Sequence, residues 1–405
     1  MKLKLIVFFI ISIILASTIC FATDSVYVWS NNTSTNKILQ TVSNVEDNNS
    51  LNLESGSAIL IEQTTGKVLY SHNSHEKLRP ASVTKVMSIL LIMEALESGK
   101  ITLGTQIPCS ENAHSMGGSQ IWLDITENLT VKDMLKSICV VSANDCTVAM
   151  AEYLAGSEEA FVQMMNAKAK QLGMNDTTFK NCHGIDEDGH LASAYDISLM
   201  SRELLEKHPS ITEYTTIWMD SIREGKSELV NTNKLIRNYQ GATGLKTGST
   251  SVALYNLSAS ATREGLSLIA VIMKAPTTKI RFSEATKLLD YGFANYTSKN
   301  FGKKGDKIQT IDINKGIEPQ VNIILEDDTS VLIKKGDTGN ITQNVIINEN
   351  ISAPIKQGDV LGRIEFKIGD EVILEKNLVA EKDVEKTTLW NITTNLYLKW
   401  FNMCR

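Results

Sequence analysis

Residues 82–97 read SVTKVMSILLIMEALE, a nearly unbroken apolar run with no internal Pro or Gly and with Gly99 just beyond it. A helix on a protein surface carries a polar stripe, and this run has almost none. It therefore predicts a buried helix of about four turns. On its N-terminal side the period changes: residues 57–73, SAILIEQTTGKVLYSHN, give an apolar strand, a turn around Thr65-Gly66 and a second strand. On its C-terminal side the patterning predicts helices at 130–138, 145–155, 158–172 and 194–207. Strands return at 252–261 (VALYNLSASA) and 266–274 (LSLIAVIMK), separated by Arg263-Glu264-Gly265, and a helix at 280–296 follows. Strands at both ends of a helical middle imply an α+β fold, an antiparallel sheet covered by helices, over residues 51–298.

Further along, KIQTIDI, QVNIILED, SVLIKK, NVIINEN, GRIEFKI and EVILEKNL are short alternating segments broken by Gly, Asp or Asn. They predict a separate small all-β domain at 299–382. In the last segment, 383–405, Leu389, Ile392, Leu396, Trp400 and Met403 recur at three- and four-residue steps. Trp390, Tyr397 and Phe401 widen that face, and Asn391, Asn395, Lys399 and Asn402 fill the rest. Tryptophan favours the bilayer interface, and the length suits a helix lying in the membrane surface rather than crossing it. The competing reading packs this helix on the β domain. No acid follows Glu385 and the chain ends on a cation, which favours the membrane surface.

The other end carries a second address. In MKLKLIVFFIISIILASTICFA (1–22) two lysines precede about a dozen apolar residues and then small ones, the pattern of a secretory signal peptide. That run is short for a span of ~20 residues, so cleavage is preferred to an uncleaved anchor. Ile19 argues against lipid attachment at Cys20. Residues 23–50, rich in Asn, Ser, Thr and Asp, read as a flexible polar leader. The chain is expected to be exported and held peripherally at the outer face of a cytoplasmic membrane. A length of 405 residues suits two or three domains, and a net charge of -6, or -8 once residues 1–22 with their two lysines leave, lacks any basic patch. A nucleic-acid partner is excluded on that ground. The six cysteines are too scattered for a disulfide framework, so buried thiols are preferred to a single bridge, and no Cys or His cluster has metal-ligand spacing. No metal and no cofactor is expected. His72 and His75 read as loop residues.

Three short motifs carry chemistry. In Ser82-Val83-Thr84-Lys85 a hydroxyl and an amine stand one helical turn apart near a helix N-terminus, whose dipole favours developing negative charge. Burial would lower the lysine pKa, so that a neutral amine can take the serine proton. Alone, the motif reads equally as a cap and a solvated lysine. Ser142-Ala143-Asn144, between SICVV and a new helix, would bring a hydroxyl and a carboxamide to a cleft, or merely cap that helix. Lys246-Thr247-Gly248, directly before the strand at 252–261, would receive a carboxylate on an edge strand, with Gly248 giving room for a close backbone. The plain alternative is a strand entry with a surface lysine. The set is far more specific than its members: S-x-x-K, S-x-N and K-T-G occur in that order, 60 and 104 residues apart.

In this combination the chain resembles the low-molecular-mass penicillin-binding proteins that are serine-type D-alanyl-D-alanine carboxypeptidases, over about residues 50–385. Supporting stretches are Pro80-Ala81-Ser82, Gly117-Gly118-Ser119, His183-Gly184 with Gly189-His190, Gly244-Leu245-Lys246-Thr247-Gly248, Ala275-Pro276-Thr277 and Leu289-Asp290-Tyr291-Gly292-Phe293. The resemblance implies a β-lactamase/transpeptidase-like fold with an all-helical subdomain. It implies as substrate a peptidoglycan pentapeptide ending in D-Ala-D-Ala, with β-lactams as covalent inhibitors. Ser82 would be the nucleophile, Lys85 the base and Ser142 a proton shuttle. Asn144 would hold the peptide amide, and Lys246, Thr247 and Gly248 would bind the terminal carboxylate and its backbone. The sequence departs from the family at Thr243, where Asp is common, and Cys139 and Cys146 flank Ser142 without an explanation.

Rival readings are a penicillin-sensitive endopeptidase, a β-lactamase and an inactive wall-binding protein. A β-lactamase needs a second base, usually in an E-x-x-L-N loop after S-x-N. None occurs between Ala155 and Leu245. Retention of Ser82, Lys85, Ser142 and Lys246 argues against an idle site.

Overall fold

The apolar run at 82–97 begins as a 3-10 turn, Ala81–Thr84, and continues as helix α1, Lys85–Glu97, buried on all sides as its composition requires. The structure, a computed structural model, describes residues 51–336, 341–388, 390, 391, 393 and 394. The expectations for the signal segment, the leader and most of the C-terminal helix lie outside the described residues.

Around α1 stands a five-stranded antiparallel sheet. Its strands are β1 (Ser57–Glu62), β2 (Val68–His72), β7 (Ala242–Thr250), β8 (Leu254–Arg263) and β9 (Leu266–Ala275), in the order β2-β1-β9-β8-β7. Strands from the two ends of this region therefore meet inside the sheet: β1 pairs with β9, Ile59 opposite Val271. The side-chain alternation divides the sheet into two faces. Ile59, Ile61, Ile269, Val271 and Met273 join one core with α1, α2 (Val131–Val140), α3 (Asn144–Ala155), α4 (Glu158–Gln171) and α5 (Ala194–Lys207). Ala58, Leu60, Leu268, Ala270 and Ile272 join a second core under α6 (Thr278–Asn295). Helices α2, α4, α5 and α6 open on a side-chain cap at the expected kind of residue: Thr130, Ser157, Ser193 and Thr277 each accept from a backbone N–H three residues on.

One element differs from expectation. The K-T-G triplet does not lead into the strand predicted at 252–261. It lies in a strand of its own, β7, at the sheet edge, and the next strand starts at Leu254 because residues 251–253 make the turn between them. Two two-stranded ribbons were not read from sequence: β3 (Gln106–Pro108) with β4 (Asn128–Thr130), and β5 (Met219–Ile222) with β6 (Ser227–Val230).

From Tyr296 onward the molecule is all β. A strand β10 (Tyr296–Gly302) pairs with β13 (Thr329–Lys334). A second five-stranded sheet has the order β11-β12-β16-β15-β14, from β11 (Lys307–Asp312), β12 (Gln320–Leu325), β14 (Ile341–Ile347), β15 (Val360–Ile368) and β16 (Glu371–Ala380). These strands enclose a third core containing Ile323, Ile364, Phe366 and Leu378. Bridges from Val384 to Ile355 and from Lys386 to Gly316 keep the chain on this domain to Lys386; Trp390, Asn391, Thr393 and Thr394 are helical.

Candidate active site

Ser82 is half-buried in the 3-10 turn, held there by two glycines that no other residue could replace without movement. Gly184, at φ +90°, lies where an added Cβ would stand 1.9 Å from the Ala81 carbonyl oxygen. Gly248 of β7 lies where a Cβ would stand 2.8 Å from the Pro80 oxygen and 2.9 Å from the Ser82 nitrogen. The turn is thus gripped from both sides, and the bare Gly248 leaves the Ser82 N–H uncovered. Ala81 takes a positive φ of 48°, an uncommon conformation that re-aims the chain just before Ser82.

Lys85, fully buried, is one turn on. Its Nζ lies 2.9 Å from Ser82 Oγ, 2.6 Å from Asn144 Oδ1 and 2.7 Å from the His183 carbonyl oxygen. Burial holds the amine well below the ordinary lysine range, and the charge of Lys246 lowers it further. A neutral amine has two N–H bonds and one lone pair. The carboxamide oxygen and the carbonyl can only accept, so they take the two hydrogens, and the lone pair is left facing the Ser82 hydroxyl.

Asn144 opens α3 and is braced rather than capping. Its Nδ2 donates to the Gly117 carbonyl at 2.7 Å and its backbone N–H to that of Ser119 at 2.7 Å, which fixes which amide atom faces Lys85. The helix N-cap is Ala143, with no side-chain cap, so neither Ser142 nor Asn144 caps the helix. Ser142 has a φ of 66°, is 3% exposed, and its Oγ has no hydrogen-bond partner among the described residues. A buried hydroxyl in that state is costly unless a ligand or water supplies the partner.

On the opposite wall Lys246 is buried in β7, its Nζ donating to the Thr247 carbonyl at 2.9 Å. Burial brings it down to about 7. Thr247 Oγ1 meets Thr232 Oγ1 at 2.7 Å. Arg281, from α6, is a buried residue that the sequence patterning missed. Its Nη1 donates to the Gly248 and Asn256 carbonyls at 3.3 Å, its guanidinium packs between Tyr255 and Phe282, and its Nε has no partner among the described residues. Burial lowers it to about 10, still cationic at neutral pH. Nothing in its local sequence marks it out; only the packing of α6 against β7 and β8 does.

Two histidines support the Ser82 turn from behind. His183 Nδ1 accepts from the Ile185 N–H at 3.1 Å, so its proton is on Nε2, 3.4 Å from Glu158. His190 Nδ1 accepts from the Lys180 N–H, so its Nε2–H donates to Thr84 Oγ1 at 2.8 Å. Burial lowers them to about 3 and about 4, and both are neutral. His75, in the loop after β2, pairs with Asp176, while His72 ends β2 itself. Cys109, Cys139, Cys146 and Cys182 are free and buried, as preferred from the sequence, and burial pushes the Cys139 thiol up to about 12, an inert group. Thr243 bonds Ser260 Oγ at 2.8 Å, away from Ser82 and Lys85.

Comparison with known proteins agrees with this geometry. Residues 42–277 match the D-alanyl-D-alanine carboxypeptidase family model and residues 296–386 that of the penicillin-binding protein 5 C-terminal domain. The D-alanyl-D-alanine carboxypeptidase DacF of Bacillus subtilis is 46% identical over 337 residues, 82% of this chain and 86% of the relative. DacC of Escherichia coli is 33% identical, over 85% of this chain and 88% of its own. The crystal structure of penicillin binding protein 5 from Haemophilus influenzae is 30% identical and superposes with a TM-score of 0.70, covering 82% of this chain and 98% of that one. With one family model spanning more than half of its length and relatives above 30% identity over most of it, the chain belongs to the D-alanyl-D-alanine carboxypeptidase family.

Proposed function

We propose that Ser82 is the nucleophile of a carboxypeptidase that removes the terminal D-alanine from peptidoglycan pentapeptides. The observation that carries this is the lone-pair accounting at Lys85: its Nζ stands 2.9 Å from Ser82 Oγ with its other two contacts made to obligate acceptors. Lys85 takes the Ser82 proton as Oγ attacks the carbonyl carbon between the two D-alanines. The resulting oxyanion is met by backbone N–H groups, that of Ser82 among them, which Gly248 leaves open. Collapse breaks the C–N bond, and the leaving amine takes a proton through Ser142, whose Oγ is otherwise without a partner. Asn144, braced by Gly117 and Ser119, presents its remaining N–H to the peptide. Lys246 and Thr247, backed by the Arg281 cation, receive the terminal carboxylate. Water then cleaves the ester. A β-lactam acylates Ser82 by the same attack.

The test is incubation with a fluorescent penicillin and with a peptide ending in D-Ala-D-Ala. Covalent labelling together with D-alanine release is expected, and Ser82→Ala abolishes both; an unlabelled native chain overturns the assignment. The enzyme is further proposed to be exported and held at the outer membrane face by its C-terminal amphipathic helix. The lysine-led apolar start and the Trp-rich tail support this reading. Among the described residues no helix is long and apolar enough to cross a membrane. Deleting 386–405 should release the protein from membranes with its activity on soluble peptide intact. Continued sedimentation with membranes would remove the anchor.

A further inference from the structure

The turn Asn231-Thr232-Asn233, after β6, is built with unusual care for a surface loop. Asn231 (5% exposed) donates through Nδ2 to the Ile217 and Thr215 carbonyls, and Asn233 (1% exposed) through Nδ2 to the Gly244 carbonyl in β7. The Asn233 N–H is taken by Asn231 Oδ1 at 2.8 Å, and Asn233 Oδ1 accepts from the Leu235 N–H. Between these two buried amides Thr232 is exposed. Its N–H donates to the Val140 carbonyl at 3.1 Å, two residues before Ser142, and its Oγ1 lies 2.7 Å from Thr247 Oγ1. Thr232 therefore ties the S-x-N wall to the K-T-G wall at their open edge.

A hydroxyl has one hydrogen and can accept as well. The Thr247 hydroxyl donates to Thr232 Oγ1. A carboxylate can only accept, so Thr247 can serve it only by turning that hydrogen away from Thr232. The Thr247 oxygen then needs a donor, and Thr232, whose backbone is pinned on both sides, has one. We propose that Thr232 is a positioning residue for terminal-carboxylate recognition: its hydroxyl reverses its hydrogen bond on binding, donates to Thr247 Oγ1 and so commits the Thr247 hydrogen to the substrate. This rests on the carboxypeptidase reading above, and D-alanine release by the unaltered chain checks that reading separately.

The experiment compares an N-acylated L-Lys-D-Ala-D-Ala with the same peptide ending in a carboxamide. For Thr232→Val, kcat/KM on the free acid falls about five- to tenfold, the scale of one hydrogen bond to a charged group in partial solvent exposure. The amide loses less than twofold, so discrimination between the two shrinks by nearly the same factor. Thr232→Ser, which keeps the hydroxyl, restores it to within about twofold. Equal loss on acid and amide would show a merely structural loop, and unchanged discrimination or a failure of Ser to restore it would equally overturn the proposal.

Discussion

At Lys85 and Lys246 two buried amines share one cleft; burial, and after it the charge on Lys246, hold Lys85 below the ordinary lysine range. The sign of the effect is testable. Lys246→Gln removes that cation, so Lys85 gains its proton at a higher pH, and the acid limb of penicillin acylation moves upward. A pH-rate profile for labelling in the native chain and the variant checks it; an acid limb that stays in place would show that Lys246 does not act on Lys85. Gly248 makes a steric prediction. Any Cβ there meets the Pro80 oxygen and the Ser82 and Val83 nitrogens inside 3 Å, so Gly248→Ala displaces the turn that carries the nucleophile. Displacements of that size cost on the order of a hundredfold in rate. Acylation should fall by about that factor in a protein that still melts cooperatively, and a rate within threefold of native would refute the argument. Ser82, Lys85, Ser142, Asn144 and Lys246 were legible in the sequence because ordered short motifs mark them. Arg281 and Thr232 were not, since each meets β7 only through the packing of its segment, α6 for Arg281 and the loop after β6 for Thr232, and no local pattern records such a meeting.

Helices α1 to α6 were readable to within a few residues because burial sets their apolar pattern. Strand β7 was not, since ATGLKTGST has two glycines and little apolar content; its pairing with β8 makes it a strand. The loop 117–123 was likewise obscure, although it positions Asn144. Its hold comes from a carboxylate at the start of α3. Asp145, fully buried, accepts from the Ile121 and Leu123 N–H groups at 3.0 and 3.1 Å and from Cys146 N–H at 2.9 Å. Arg223 reinforces the loop from outside, gripping Glu127 through two 2.6 Å contacts and donating to the Ile121 and Trp122 carbonyls. That pair is partly exposed, so its contribution to stability is small beside that of Asp145. Asp145→Ala leaves buried N–H groups without acceptors and should destabilise the protein by about 2–3 kcal/mol, read by urea unfolding. Because the same loop holds Asn144, labelling by penicillin should slow as well. A stable variant with normal labelling would show that the loop is held by other means.

The molecule divides where α6 ends. Both faces of the first sheet have their own cores, and every residue assigned a role in the chemistry lies before Asn295. The β domain has a third core and meets the first part through β10, through Leu332 against the α6-side core, and through Lys335, which donates to the Asn295 and Phe293 carbonyls. A chain cut after Asn295 loses that cover over Phe293 and no contact of Ser82, Lys85, Asn144 or Lys246 described above. We therefore expect residues 51–295 to fold and to be acylated by penicillin at a rate within about twofold of the whole protein. The melting temperature should drop by a few degrees, in proportion to the apolar surface uncovered at the joint. Stopped-flow labelling and calorimetry of the two chains make the measurement. If the fragment folds but labels tenfold more slowly, the β domain acts on the catalytic cleft and the two parts are not independent.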